Sequence, residues 1–197
     1  MKTAHQILTL IALLLCNMVF SQTSIIDSLS RSVNNAKTSN EKLHQLLVLC
    51  EQHQSIHKDS LWQYALHAKQ LANNKDKKSI GLANIAVINA LFRYDKIDSA
   101  QKIVNNELPK YSVEKESERS IFFRLSELKS DCYNAVSNYK EAVAIIYNTI
   151  SLAEKYKDTA VLAISYNSLG EIAYNRDMLD EAFQWFYKSI SITRLQN

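Results

Sequence analysis

The chain of 197 residues is 47% hydrophobic and 22% charged with a formal net charge of +3, a balance that excludes a disordered polymer and lacks the electrostatic footprint of a nucleic-acid or membrane-surface binder. Two glycines, Gly81 and Gly170, and one proline, Pro109, are far too few for the many tight turns of a sheet protein. Composition therefore predicts an all-α fold.

In chain order, Lys2 precedes an apolar run from Ile7 to Leu15 that continues through Met18, Val19 and Phe20. With Val19-Phe20-Ser21 at the cleavage positions, residues 1–21 are expected to be a secretory signal peptide, and the product to be exported to the periplasmic or extracellular face. The alternative is an N-terminal anchor in the inner membrane. Against it, Cys16 and Asn17 interrupt a run already shorter than the ~20 residues that span a bilayer. A lipoprotein modified at Cys16 would place the large Leu15 where a small residue is usual. Loss of residues 1–21 removes only one charge, that of Lys2.

Residues 22–40 are read as a leading helix, Ser24 to Ala36, with a connection, and residues 41–197 as about four helical hairpins. A short cap recurs through them: "DSL" at Asp59 to Leu61, "DSA" at Asp98 to Ala100, "KEA" at Lys140 to Ala142 and "DEA" at Asp180 to Ala182. The third residues lie 39, 42 and 40 positions apart, a period near forty. Behind each cap runs a stripe at i, i+4, i+7: Leu61, Ala65 and Ala68; Ala100, Val104 and Glu107; Ala142, Ile146 and Thr149; Ala182, Phe186 and Ser189. Asp98 and Asp180 suit N-cap or first-turn positions, where free amides and the helix dipole favour a carboxylate. Cys50 and Cys132 fall on different hairpins among apolar neighbours and read as buried free thiols.

The last hairpin carries the most specific pattern. Tyr166, Leu169 and Gly170 are followed at set intervals by Ala182, Phe186 and Ser189, and this spacing resembles the tetratricopeptide repeat. The resemblance covers roughly Lys42 to Arg194 and is strongest in this unit. Aligning Leu128 with Leu169, through a turn one residue longer, puts Lys129 at the place of Gly170, and Ile88 holds that place one unit earlier. The resemblance implies a right-handed α-solenoid in which Gly170 is a contact residue, facing the small residue of the second helix where the two cross. The lengthened period is similar to the extracytoplasmic regions of bacterial sensor histidine kinases and related regulators built on such repeats.

In that family the first helix of each unit lines a concave groove. Carried over, the positions one, four and five after the glycine site are Glu171, Tyr174 and Asn175, then Ser130, Tyr133 and Asn134, then Asn89, Phe92 and Arg93. The resemblance implies a ladder that holds an extended peptide, the asparagines gripping its backbone and the aromatics packing its side chains. The aromatics read equally well as packing between hairpins, and Arg93 is the residue hardest to bury. His53 and Gln54 extend the ladder if the first unit shares the register.

No phosphate loop, dinucleotide fingerprint or nucleophile elbow can be written. "HQSIH" would put His53 and His57 on one helix face, but no third metal ligand is placed by the pattern, and the two read rather as solvated histidines at a helix end. Glu114 and Glu116 belong to the mixed-charge "EKESER", read as a solvated helix start. No catalytic residue, metal or cofactor is expected. The expected function is a non-enzymatic protein- or peptide-binding module, either the input part of a truncated signalling protein or a free-standing secreted or periplasmic scaffold. The stretch "SITRLQN" stops without a capping helix, which predicts an apolar edge open to a partner or to self-association.

Overall fold

The structure, a computed structural model, describes residues 25–73 and 75–194. The signal-peptide reading of residues 1–21 lies outside them. The described residues are helical with no strand among them: a helix over residues 25–35 (α1), α2 (Ser39–Glu51), α3 (Lys58–Ala72), α4 (Lys77–Arg93), α5 (Ile97–Glu107), a 3₁₀ turn (Leu108–Lys110), α6 (Glu116–Ala135), α7 (Tyr139–Tyr156), α8 (Thr159–Asn175) and α9 (Leu179–Arg194).

Side-chain caps start several helices. Thr38 accepts from the Glu41 amide, Asp76 from that of Ser79 and Asp158 from that of Val161, each satisfying a donor that the first turn leaves free. Asp98 and Asp180 sit in the first turns of α5 and α9, where the dipole favours them.

The helix ends explain the scarcity of glycine. Asp95, Ser137, Lys157 and Asp177 all have left-handed backbone, with φ between 54° and 59°. The next amide in each case (Lys96, Asn138, Asp158 and Met178) bonds back to the carbonyl of Leu91, Tyr133, Ala153 or Ala173. This closure normally recruits glycine at the left-handed position. Here Asp, Ser and Lys occupy it, so the chain turns sharply without one. Asp95, Ser137 and Asp177 close the α4–α5, α6–α7 and α8–α9 hairpins and lie 42 and 40 residues apart. The α2–α3 hairpin differs, its turn running through residues 52–57 with no positive φ.

Each helix from α2 onward packs on the next. In addition the backbones of α2 and α4, α4 and α6, and α6 and α8 approach one another, whereas those of α3, α5, α7 and α9 do not, Tyr147 of α7 meeting Trp185 of α9 only through their rings, edge to face with centroids 6.5 Å apart. The even-numbered helices thus form a continuous layer and the odd-numbered ones back it. α4 is nearly encircled, buried at Gly81 and throughout Ala83 to Leu91. The stripes behind the caps face inward: Leu61, Ala65, Ala68, Ala100, Val104, Glu107, Ala142, Ile146 and Thr149 are all buried, as is Ala182. Phe186 and Ser189 are half-buried. Val33 is buried and Ile26 and Leu29 pack on the same core, so α1 covers the first hairpin.

The core falls into two clusters. One runs from Val33 to Cys132, and the second, centred on Ala142, Ile146, Tyr166, Leu169 and Ile172, is formed by α7 and α8 with Trp185 of α9 against it. Both glycines mark close approaches. A Cβ on Gly170 would stand 2.6 Å from two ring carbons of Phe186, and one on Gly81 would stand 2.7 Å from the Tyr111 hydroxyl and 2.8 Å from Ile121. Gly170 is therefore a contact residue, and the group lying over it is the Phe186 ring, one turn beyond the small Ala182. Tyr111 is held over Gly81 by donating its hydroxyl to the Lys77 carbonyl at 3.0 Å.

"EKESER" is only partly a solvated start. Glu116 is exposed and Glu114 pairs with Lys155 at 3.0 Å, but Glu118 is buried, pairs with Lys77 at 2.7 Å and accepts from the Ser112 amide at 2.9 Å. Cys50 and Cys132 are free and buried, and burial pushes both thiols up to about 12.

Candidate functional site

A cleft of about 620 Å³ opens on the even-numbered layer. Its walls come from the α2–α3 turn, the end of α4, the middle of α6, α8 and the last turns of α9. A run of polar side chains, each one or two helical turns from the next, lines it on α6 and α8: Arg124, Glu127 and Asp131, then Asn167 and Glu171.

The turn geometry explains this alignment. Counted back from the left-handed residues, Asp131 lies as far before Ser137 as Glu171 lies before Asp177. Glu127 then corresponds to Asn167 and Arg124 to Ile164. Successive hairpins therefore present side chains from equivalent positions to one surface.

Charge is unevenly satisfied there. Arg93 donates through Nη1 to the carbonyls of His53 at 2.6 Å and Gln54 at 2.9 Å, bracing the α2–α3 turn against α4. Arg124 pairs with Glu51 at 2.5 Å. Both guanidinium groups are thus engaged within the protein. Glu171 accepts from Asn167 Nδ2 at 2.7 Å. Glu127 and Asp131 have no hydrogen bond or ion pair among the described residues. Burial raises the Glu127 carboxyl, Arg124 opposing and Glu171 adding to the rise. Asp131 is raised well above the ordinary range by burial, then by repulsion from Glu127 and Glu171. His53 is lowered by burial and by the cations Arg124 and Arg93, with Glu51 acting the other way, so it is neutral at neutral pH.

Of the groove candidates, Asn89, Phe92, Arg93 and Glu171 line the cleft, together with His53 and Gln54. Ser130 does not: it is 1% exposed and donates its hydroxyl to the Ala142 carbonyl at 3.1 Å across the α6–α7 hairpin. It occupies the place in α6 that Gly170 holds in α8, a small residue at the helix crossing. The turn after α6 contains no extra residue relative to that after α8, so a register that aligns Leu128 with Leu169 is displaced by one position.

The same displacement accounts for Tyr133, which packs against the second core cluster. Asn134 and Asn175 meet each other, Nδ2 of Asn175 donating to Asn134 Oδ1 at 3.2 Å, and the Asn175 carbonyl accepts from the Tyr139 hydroxyl at 3.1 Å. Tyr174 is exposed and outside the cleft lining. The residues missed by the sequence reading are Arg124, Glu127, Asp131 and Asn167; their signal was the recurrence of polar side chains three or four residues apart on α6 and α8.

His53 and His57 do not share a helix face, because α2 ends at Glu51 and His57 is the N-cap of α3. Among the described residues no group of three or more His, Cys, Asp or Glu is arranged to hold a metal ion. None of the described helices is long and apolar enough to cross a membrane. No protein-family model matches the chain, and no curated protein matches it.

Proposed function

We propose that the chain is a non-catalytic binding module of the tetratricopeptide type, a right-handed α-solenoid with a period near forty, whose cleft takes a cationic segment of a protein or peptide. The observation that carries this reading is the pair of unpartnered carboxylates, Glu127 and Asp131, which face the cleft beside Glu171 while the neighbouring guanidinium groups are occupied internally. A lysine or arginine side chain entering the cleft would supply the missing charge. It would also offset the burial that raises both carboxyls, together with the repulsion from Glu171 on Glu127 and from Glu127 and Glu171 on Asp131. Support for the solenoid comes from the recurring hairpin turns, the continuous even-numbered layer and the contact of Gly170 with Phe186.

The test is titration of the protein with labelled oligolysine and oligoglutamate peptides by fluorescence anisotropy. Oligolysine binds, oligoglutamate does not, and the triple variant E127Q/D131N/E171Q loses affinity at least tenfold. Binding of oligolysine also weakens as pH falls, starting above the ordinary carboxylate range because both groups hold their protons more tightly in the fold. Equal affinity of wild type and triple variant would sink the proposal.

The sign for stability is opposite. A raised folded-state pKa means that the native chain binds more protons than the unfolded one, so stability falls as pH rises through the raised value. Asp131→Asn should therefore melt higher than wild type at neutral pH, by about 2–4 °C for each kcal/mol relieved. A rise in melting point with a loss of binding separates a ligand site from a merely structural acid.

Export of the mature chain remains part of the proposal, and N-terminal sequencing of secreted protein checks cleavage after Ser21. Membrane involvement would come only through the N-terminal segment or a part beyond this chain. The signalling and scaffold readings share the cleft and differ in whether occupancy changes the output of a linked domain.

A further inference from the structure

We propose that a second pocket, which shares no residue with the cleft, binds a small free α-amino acid by its two charged ends. The pocket has a volume of about 170 Å³ and lies where the last turn of α3, the first half of α4 and the last residue of α5 come together. Ala72, Ile80 and Ala83 supply an apolar wall, and Asn84, Glu107 and Lys69 supply the polar groups.

Two of these groups are buried without the partners they need. Asn84 is 6% exposed, and its side-chain amide makes no hydrogen bond among the described residues. Glu107 is 8% exposed; its Oε1 accepts from Lys110 at 2.7 Å, while Oε2 is buried with no partner. A buried amide or carboxylate left in this state has lost its hydration without compensation, and two of them on one pocket call for a donor from outside the chain. The backbone favours the same charge. α3 and α5 both finish here, and the carbonyl end of a helix carries the negative pole of its dipole. An ammonium group is therefore favoured beside Asn84, donating to its Oδ1 within the field of the Glu107 carboxylate. Lys69, in the last turn of α3, is exposed and has no ion pair or hydrogen bond among the described residues, so its own ammonium is free to meet a carboxylate at the rim. Opposite charges at the two sides of so small a space select a zwitterion. At the ~30 Å³ that one water occupies, the pocket holds about five or six non-hydrogen atoms, the size of glycine or alanine.

Isothermal titration of the whole chain with glycine and L-alanine, carried into the tens of millimolar, tests the proposal, with propylammonium and propionate as ligands that each keep one charged end. Both amino acids are expected to bind several-fold more tightly than either single-ended ligand, and L-phenylalanine, too large for 170 Å³, is expected not to bind. Lys69→Gln, at an exposed side chain, should bring glycine down to the affinity of propylammonium and leave propylammonium itself unchanged. Asn84→Leu should weaken both at least tenfold, with circular dichroism reporting that the helices persist; where that variant does not fold, Lys69→Gln decides. No saturable binding of either amino acid, propionate bound as tightly as glycine, or glycine binding indifferent to Lys69→Gln each overturns the site. The cleft variant E127Q/D131N/E171Q should bind glycine as the wild type does, so this outcome is independent of peptide binding.

Discussion

Gly170→Ala is the most informative single substitution because two known effects oppose each other. Alanine in a helix interior is favoured over glycine by about 1 kcal/mol, which taken alone would stabilise α8. The new methyl carbon, however, would stand 2.6 Å from both Cδ1 and Cε1 of Phe186 and 3.0 Å from its Cγ. Carbon atoms rest at about 3.5–4.0 Å, so the ring must retreat by roughly 1 Å. The clash is with the flat of a ring rather than the tip of a flexible chain, and the retreat must come from separation of α8 and α9 or from a strained rotamer. Overpacking of this sort costs about 1–3 kcal/mol. The net expectation is a loss of about 1 kcal/mol, a fall in melting temperature of about 2–4 °C followed by circular dichroism. The second half of the experiment fixes the cause. In a Phe186→Ala background the obstruction is gone and the same Gly170→Ala change should raise the melting temperature. If Gly170→Ala stabilises both backgrounds equally, the close approach has no energetic consequence and the reasoning fails.

Glu118→Gln should lower stability at neutral pH, because hydrogen bonding from Lys77 and from the Ser112 amide holds this carboxyl down to about 2. A depressed folded-state value contributes stability above the unfolded value of about 4.5 that is lost as pH falls toward 2, so acid unfolding curves of wild type and variant should converge there. Cys50 and Cys132 should resist a thiol reagent in the native protein and react only as it unfolds, since burial and a pKa of about 12 leave almost no accessible thiolate. Rapid labelling of either under native conditions would contradict their packing.

How much of this was legible in the sequence depends on which force set each feature. The helical class followed from the near absence of glycine and proline. The spacing of the caps located the second helices, whose stripes of Ala100 and Val104 or Ala142 and Ile146 are buried as expected. Gly170 was read as a contact through the resemblance of its spacing to the tetratricopeptide repeat, although the Phe186 ring over it was not foreseen. The cleft was less legible because it depends on register to a single residue. On a helix, one position rotates a side chain by about 100°, which is the difference between buried Ser130 and cleft-lining Asp131. What settles that register is a left-handed Ser137, a conformation that sequence reading assigns to glycine. The one helix face that the spacing of His53 and His57 would give does not form for a related reason: α2 stops at Glu51 without glycine or proline to announce its end.

The two apolar clusters divide the molecule between α6 and α7, while the cleft draws its lining from both sides of that seam. Across that seam α6 packs on α7 and on α8, while the pair of Arg124 with Glu51 ties α6 to α2 on the near side. Arg124, Glu127 and Asp131 stand on one arm, Asn167 and Glu171 on the other. A side chain bound between them would therefore bridge the two apolar clusters and tie one to the other.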